Sequence, residues 1–573
     1  MSAESFLPVS AEDMRGRGWF WYDVLLVTGD AYVDHPSFGA AVIGRVLEDA
    51  GYRVAILAQP DWHSADAFTS MGRPRLAAMV TAGNLDSMVA HYTAAKRPRG
   101  EDFYSPGKRI GLRPDRASVV YANRVREAFP GLPLVLGGLE ASLRRFAHYD
   151  YWDDRVRNSV LIDAGADLLV YGMGESATLE IAAALRHGTP VEALRSIRGT
   201  AYVTTNPPDG AVTIASCESV RRDKREYAAS AMIQYQEHDP IVGRAVAQPH
   251  ADRVVVVNPP AMPLTTYLLD KFAELPYTRE YHPIYEPDGG VPAIEEVRFS
   301  VIHNRGCFGA CNFCALAFHQ GRVVTSRSHD SVVREVTAFT AHPLFKGYVH
   351  DVGGATANFR RPACAAQLKR GMCKDRACLS PTPCTNLDAD HGDYLALLRK
   401  VRSIPRVKKV FIRSGVRFDF LMLDPSGEFF AELVKHHVSG QLKVAPEHCI
   451  DSVLARMGKP ANAAYERFTQ KWNSLNERYG KNQYLVPYLM SSHPGCTSDD
   501  ASALANYLRK RGMRPEQVQD FYPTPGTLST CMFYTGLDPR TLEPLYVPRA
   551  PREKARQRAL LQPQKRKRGV TRG

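Results

Sequence analysis

This chain of 573 residues has no apolar run approaching the roughly 18 residues that read as a membrane-spanning helix, which excludes a membrane span from the expected architecture. Its opening, MSAESFLPVSAEDM, lacks a basic flank and an apolar segment, so no secretory signal is expected and the compartment is expected to be the cytoplasm. No short-period repeat is visible, which excludes a solenoid. Thiols are nearly missing from the N-terminal half: of eleven cysteines only Cys217 precedes Cys307. In a cytosolic-looking chain the remainder suggest metal ligation more than disulfides. The last 25 residues, 549–573, lack aromatics and carry one acid, Glu553, against ten Lys or Arg. That tail therefore holds +9 of the net +13, and the remaining 548 residues are nearly balanced. Basic residues without interleaved aromatics favour a solvated, disordered terminus, with an RNA grip through phosphate contacts as the other reading.

What is present is an ordinary globular composition, 44% hydrophobic and 23% charged, on a chain long enough for two or three domains. Its most specific feature is RGCFGACNFC, which places Cys307, Cys311 and Cys314 at C-x3-C-x2-C with Phe313 before the last thiol. Three thiolates on one tight loop suit three irons of a [4Fe–4S] cluster and leave the fourth iron open to a small molecule. A structural zinc site takes four protein ligands, and no neighbouring Cys or His completes one here; a chance run or a zinc knuckle are the competing readings. The stretch Val297–His303 is rich in β-branched and aromatic residues and predicts a strand whose C-terminal end carries the loop.

The spacing and the aromatic resemble the signature of the radical S-adenosylmethionine (SAM) superfamily. The opening MSAESFLPVS, the run VTGDAYVDHPSFGAAVIGRVLEDAGYRVAILAQPDW and the later KVAPEH resemble YgiQ-type members of it, over nearly the whole chain. The resemblance implies a [4Fe–4S] cluster, SAM bound through its amine and carboxylate to the open iron, a one-electron reductant of flavodoxin or ferredoxin type, and a substrate the family does not specify. It also implies a TIM-like barrel.

Strand-like segments alternate with helix-like ones through the first 175 residues: Asp23–Thr28, a helix from about Ser37 to Ala50 capped by Ser37, Arg53–Ala58, Leu134–Leu136 and Asp167–Tyr171. The alternation predicts an α/β domain with a doubly wound parallel sheet over residues 1–290, linker included. From about 295 the alternation resumes, with strands at Lys346–Val352, Lys408–Arg413, Gln441–Ala445, Tyr484–Met490 and Val518–Tyr522. They suit a partial TIM-like (β/α)6 barrel over 291–548. LGGLEAS and VYGMGESATLEI resemble a cobalamin-binding type of domain. The pattern Asp-x-His-x-x-Gly of that domain is not met, because His35 follows Asp34 directly and Pro36 follows His35. The departure argues against cobalt ligation and for a turn before the Ser37 helix or an entrance for substrate.

Around the cluster, Gly353 and Gly354 after Asp351 resemble the superfamily's strand-end motif for the SAM amine, with Ala355 in place of the acid. Arg413 with Ser414 and then Glu447 with His448 are candidates for the carboxylate and ribose, against the alternative of ordinary buried ion pairs. The segments LMSSHPGCT and DFYPTPGTLST resemble barrel-mouth segments. A second set, Cys364, Cys373, Cys378 and Cys384, lies within 21 residues of a Pro- and Arg-rich insertion at about 360–388. It suits an auxiliary Fe–S cluster, a structural zinc, or four free thiols. Cys217, Cys449, Cys496 and Cys531 are isolated and expected to be packed. The leading expectation is a radical SAM enzyme of unidentified substrate, and the scarcity of N-terminal thiols argues against methylthiolation. A non-catalytic metal-binding scaffold or redox sensor is the second class.

Overall fold

The computed structural model describes residues 5–515 and 518–562. Its N-terminal part contains β1 (Val24–Thr28), β2 (Val54–Ala58), β3 (Ala77–Thr81), β4 (Leu134–Leu136), β5 (His148–Asp150), β6 (Arg155–Arg157), β7 (Leu168–Val170), β8 (Thr200–Thr204), β9 (Val212–Thr213), β10 (Val246–His250) and β11 (Arg253–Val257). All but β5 and β6, which form a hairpin, join one nine-stranded sheet in the order β2-β1-β3-β4-β7-β8-β11-β10-β9. The first five strands of that order are mutually parallel, in register Val24 with Val54 and with Ala77. Alternate residues feed two cores. Leu25, Val27, Val80, Leu134, Leu136 and Leu169 face one side against Tyr121 and Val125 of the helix Ala117–Ala128. Val24, Leu26, Ile56, Val135 and Val170 face the other against Ala41 and Leu47 of Gly39–Asp49 and Ile181 of Glu175–Arg186. Burial on both faces explains why these strands read as unbroken apolar runs.

Two expectations are corrected here. The sheet is not parallel throughout: β8 and β11 run antiparallel to their neighbours, because β10 and β11 are joined by a tight hairpin whose Ala251 takes a φ of 52°. Ser37 does not cap the following helix. Its own N–H is held by the His35 ring, and the Asn84 side-chain oxygen accepts from the Gly39 N–H instead.

The C-terminal part contains β12 (Ser300–Ile302), β13 (Asn304–Arg305), β14 (Thr325–Ser326), β15 (Tyr348–Val349), β16 (Asp351–Gly353), β17 (Lys409–Val410), β18 (Gln441–Glu447), β19 (Tyr484–Ser491) and β20 (Val518–Asp520). Parallel ladders join β12 to β16, β15 to β17, and β18 to β19 to β20. Val301, Val352, Val410, Ile412, Leu442 and Val444 share one core with Val332 and Val336 of the helix His329–Phe339 and with Leu397 and Leu398 of Gly392–Arg402. The strand expected at Val297–His303 is shorter, because Ile294–Val297 closes a helical turn before it. The two parts meet over a joint apolar cluster that includes Tyr149, Tyr151 and Tyr227 on one side and Met490, Phe521 and Phe533 on the other.

The basic tail is also corrected. Pro551–Leu561 is a helix, with Leu561 3% exposed among Leu489, Leu504 and Leu508, and Gln557 buried. Of its basic side chains, Lys554 Nζ reaches the Tyr151 hydroxyl and Arg558 reaches Asp520 at 2.9 Å. A pair of apolar contacts and these bonds offset the ordering entropy that charge alone would leave unopposed. Lys565, Arg566, Lys567, Arg568 and Arg572 lie outside the described residues. Among the described residues no helix is long and apolar enough to cross a membrane.

Candidate metal centre

The loop bearing the three cysteines is closed at its base by the antiparallel pair β13 and β14 and by the Cys307 N–H donating to the Gly321 carbonyl at 3.0 Å. Gly306 is required at that base: its φ is 87°, and a Cβ there would lie 2.1 Å from the Val323 carbonyl oxygen. Further along, Asn312 is a fixed point. Its N–H donates to Met457 O at 2.9 Å, its side-chain amide donates to Arg456 O at 2.8 Å, its side-chain oxygen accepts from Arg540, and its carbonyl accepts from the Ser529 N–H. One buried residue, through backbone and side chain together, thus ties the loop to three later segments of the chain.

The thiols stand close enough to act on one another. Burial raises the Cys307 thiol and pushes Cys314 up to about 12, and the neighbouring Cys311 raises both further. The Arg417 guanidinium donates to Cys311 Sγ at 3.3 Å, and Cys307 Sγ lies 3.5 Å from Thr356 Oγ1. Among the described residues no three Cys, His, Asp or Glu side chains converge as the ligands of a single ion would. The thiolates of a cluster bind different irons and stand further apart than that. Iron in place of the proton removes the unfavourable burial of a bare thiolate. The donor set and its spacing therefore fit a [4Fe–4S] cluster.

A buried group of charges backs this loop. Arg417, 8% exposed, holds Asp419 through two hydrogen bonds of 2.8 and 2.6 Å. Asp419 is held below its usual range chiefly by Arg417, which prevails over burial, with Lys459 adding to it. Glu447 ends β18 at a register shift, with a φ of 68°, and is 8% exposed. Burial raises its carboxyl, against the opposing pull of Lys459 and Arg417. Two cations and two carboxylates are thereby buried beside three thiols.

Gly353 and Gly354 are brought to Ser414. The Gly354 N–H donates to Ser414 Oγ at 3.3 Å, and a Cβ on Gly353 would sit 1.9 Å from that oxygen. Asp351 accepts from the N–H groups of Arg413 and Ser414. The side chain of Arg413 is exposed, so the buried cation at the thiols is Arg417 and not Arg413. Phe313 is half-buried and meets the His493 ring edge-on at 6.2 Å. His493 is fully buried and its Nε2 lies 2.7 Å from Ser529 Oγ, so the two barrel-mouth segments meet each other and the cysteine loop.

In the insertion, Cys378 lies amid the other three thiols: burial, then Cys373, Cys364 and Cys384, push it up to about 11. The Cys384 N–H donates to the Cys378 carbonyl at 2.9 Å. Cys378 and Cys307 pack against one apolar cluster containing Phe308, Phe359, Leu379 and Phe420. Ser380 Oγ donates to the Lys459 carbonyl, tying the insertion to the charged group. The four thiols are not gathered into the tetrahedron a single zinc ion requires. Cys217, Cys496 and Cys531 are buried in the joint apolar cluster, as expected of isolated thiols.

Asp34 and His35 are structural. Asp34 pairs with Arg45 at 2.5 Å and accepts from the Thr278 N–H. His35 accepts from the Ser37 N–H at Nδ1, and its Nε2 lies 3.0 Å from Arg279 Nη1. Arg417, Lys459 and Asn312 were not legible in the sequence. Their only trace was the pairing of Arg417 with Asp419 in RFD and the Gly458–Lys459 turn after a helix.

A family model described as radical SAM N-terminal matches residues 6–300, and a domain of unknown function, DUF3362, matches 516–567. The chain is thus a member of the radical SAM superfamily. A UPF0313 protein of Clostridium perfringens (strain ATCC 13124) is 56% identical over 565 residues, covering 98% of this chain and 85% of the relative. One of Clostridium botulinum (strain Loch Maree) is 54% identical over 564 residues, with 98% and 87% covered. The chain belongs to this UPF0313, or YgiQ-type, family of radical SAM proteins. Among solved structures, the radical SAM methyltransferase TsrM from Kitasatospora setae, with cobalamin and a [4Fe–4S] cluster bound, is 16% identical over 90% of this chain and 79% of its own, with a TM-score of 0.49. The cobalamin-dependent SAM radical enzyme OxsB, with aqua-cobalamin bound, is 10% identical over 90% and 56%, with a TM-score of 0.47.

Proposed function

We propose that this protein is a radical SAM enzyme in which Cys307, Cys311 and Cys314 hold three irons of a [4Fe–4S] cluster and SAM takes the fourth. The observation that carries the reading is the set of three thiols close enough to act on one another on one pinned loop, with a buried cation donating to the middle one. When bound, the cluster supplies one electron to the sulfonium and so generates a 5′-deoxyadenosyl radical that abstracts hydrogen from substrate.

The chain's own residues would bind, orient and shield. Backbone carbonyls at the end of β16 would receive the methionyl amine, at Gly353 and Gly354, where side chains would strike Ser414 and Asn304. Arg417 and Lys459 are the buried cations for the carboxylate, with Ser414 and Glu447 as further polar partners. Phe313 covers one side of the loop. We read residues 1–290 as the N-terminal α/β domain, 291–548 as a partial (β/α)6 barrel, and 549–573 as a basic extension. The second thiol set is best suited to an auxiliary cluster: its Cys378 shares an apolar wall with Cys307, which suits electron transfer between two centres. The electron donor would be a flavodoxin- or ferredoxin-like protein, and the compartment the cytoplasm. RNA is a candidate partner through the basic side chains of the tail other than Lys554 and Arg558, which are engaged within the fold.

The test is anaerobic reconstitution with iron and sulfide, followed by SAM and dithionite. Formation of 5′-deoxyadenosine and methionine is expected. An intact cluster that never yields 5′-deoxyadenosine would favour the scaffold or redox-sensor class instead.

A further inference from the structure

A cavity of about 440 Å³, with no cysteine in its lining, opens at the C-terminal ends of β1, β3, β4 and β7. Its volume is in the range that holds one drug-sized molecule. One wall is the N-terminal sheet, where Gly138 and Gly174 bring backbone close: a Cβ on Gly138 would lie 2.2 Å from Thr81 Oγ1, and one on Gly174 would lie 2.8 Å from Val170 Cγ1. The opposite wall is the segment leading into and out of the cysteine loop, Ile302 to Arg305 and Leu316 to Gln320. Most of the rest is apolar, notably Phe38, Ile43 and Phe272.

The polar end is built, and it is incomplete. Glu175, 2% exposed, gives Oε1 to Arg305 Nη1 at 2.5 Å, while its Oε2 is buried with no hydrogen-bond partner. The Nδ1 of His319, also lining the cavity, is buried and unpartnered. A buried carboxylate oxygen without a donor costs stability unless something supplies one. Arg305 already balances the charge of Glu175, and burial holds His319 neutral by lowering its pKa to about 4. The end therefore asks for a hydrogen-bond donor and not for a further charge.

We propose that this cavity is a ligand site, separate from that of SAM, for an uncharged small molecule with an apolar body and an amide or hydroxyl donor that reaches Glu175 Oε2. Its occupancy is connected to the metal centre by short paths. Arg305 stands two residues before Cys307, the Gly306 N–H donates to Gln320 Oε1 at 3.2 Å, and the Cys307 N–H donates to Gly321 O. A ligand that draws on Glu175 competes with Arg305 and so bears on the base of the cysteine loop.

The inference rests on the cavity and its unpartnered carboxylate and does not require the reaction proposed above. It is tested on the full-length, anaerobically reconstituted protein by calorimetric titration with 2-naphthamide and with 2-acetonaphthone. The two probes share an apolar body and a carbonyl; only the amide carries a donor. The wild type is expected to bind the amide at least tenfold more tightly, Glu175→Gln to lose that preference while remaining folded at the titration temperature, and the cavity-filling Ile43→Phe to weaken both probes. Failure of the wild type to bind either probe, equal binding of the two, or a preference that survives in Glu175→Gln would overturn the assignment. None of these results bears on 5′-deoxyadenosine formation, so the two proposals fail separately.

Discussion

The two sets of cysteines in this chain are built on different foundations. Cys307, Cys311 and Cys314 sit on a loop closed by a strand pair, pinned through Asn312 and backed by Arg417, Asp419, Lys459 and Glu447. The set Cys364 to Cys384 sits in an insertion whose regular structure is the single turn Gln367–Arg370, with Cys373 exposed. Its ties to the body are dispersed: Ser380 to Lys459, Met372 N–H to Asp239, Gln367 to the Arg322 carbonyl and Lys374 to Glu237. A site that must hold its ligands while one position stays open needs a rigid frame, because a mobile fourth side chain would occupy the vacancy. A site closed by four thiols supplies its own frame, since the metal cross-links the loop that bears it.

Cys311→Ala is the largest expected break in that contrast. It should abolish the visible absorbance of the first centre and all 5′-deoxyadenosine formation, whereas Cys378→Ser should lower total iron and leave SAM cleavage measurable. Equal loss in both variants would erase the distinction. Next in size is Arg417→Met, which leaves Asp419 buried without its main partner. We expect a loss of about 3 kcal/mol in denaturant unfolding, as for broken buried pairs, with much of it recovered in Arg417→Met/Asp419→Asn. If the double variant is no better than the single, the pair is not the unit that holds the loop.

A smaller effect is expected of Gly309→Ala. Its Cβ would meet Arg417 Nη1 at 2.5 Å and Cys307 Sγ at 3.3 Å, so the guanidinium must shift, at a cost of about 1–3 kcal/mol and with a changed cluster spectrum. The same substitution at Gly100, where nothing lies within 4 Å, should be nearly silent.

pH sharpens the comparison from another side. Burial lowers His303 and His493 to about 3, below the unfolded value of about 6.5. A group with a depressed folded pKa lends stability that is present above its unfolded pKa and is lost as pH falls toward the folded one. Each should therefore contribute a decline of up to about 1.4 kcal/mol per pH unit from about pH 6.5 down to about pH 3. His493→Asn should flatten the fall of unfolding free energy between pH 6 and 4. An unchanged slope would mean that His493 titrates normally. Smallest of all, Leu561→Ala should release the amide hydrogens of 551–561 to exchange with little change in global melting, because that helix packs on few apolar neighbours.

What the sequence made legible was local. The C-x3-C-x2-C run, the strand-end glycines and the period of the N-terminal strands are written in adjacent residues, and each lies where the pattern put it. The two-sided core of the first sheet follows from β1, whose five residues are all buried. Contacts made across hundreds of residues left no such trace. Asn312 meets Arg540, and Arg417 meets Cys311, only because the fold brings distant strand ends together. Arg413 looked like the cation because it ends a strand, yet side chains alternate, and at that position the alternation points outward. Ser37 had the chemistry of a cap, but His35 took its N–H first. The tail looked disordered by charge, and the described part of it is ordered by Leu561 and Gln557, two residues outweighed in any composition count.

The central claim is that one iron of the first centre has no protein ligand. It is tested most directly by Mössbauer spectroscopy of the 57Fe-reconstituted Cys364→Ser/Cys373→Ser/Cys378→Ser/Cys384→Ser variant, which isolates that centre, before and after SAM is added. One iron of four should change its isomer shift and quadrupole splitting on addition, while the other three stay as they were. Four irons that are alike and indifferent to SAM, or a centre that takes up zinc in place of iron, would contradict the account.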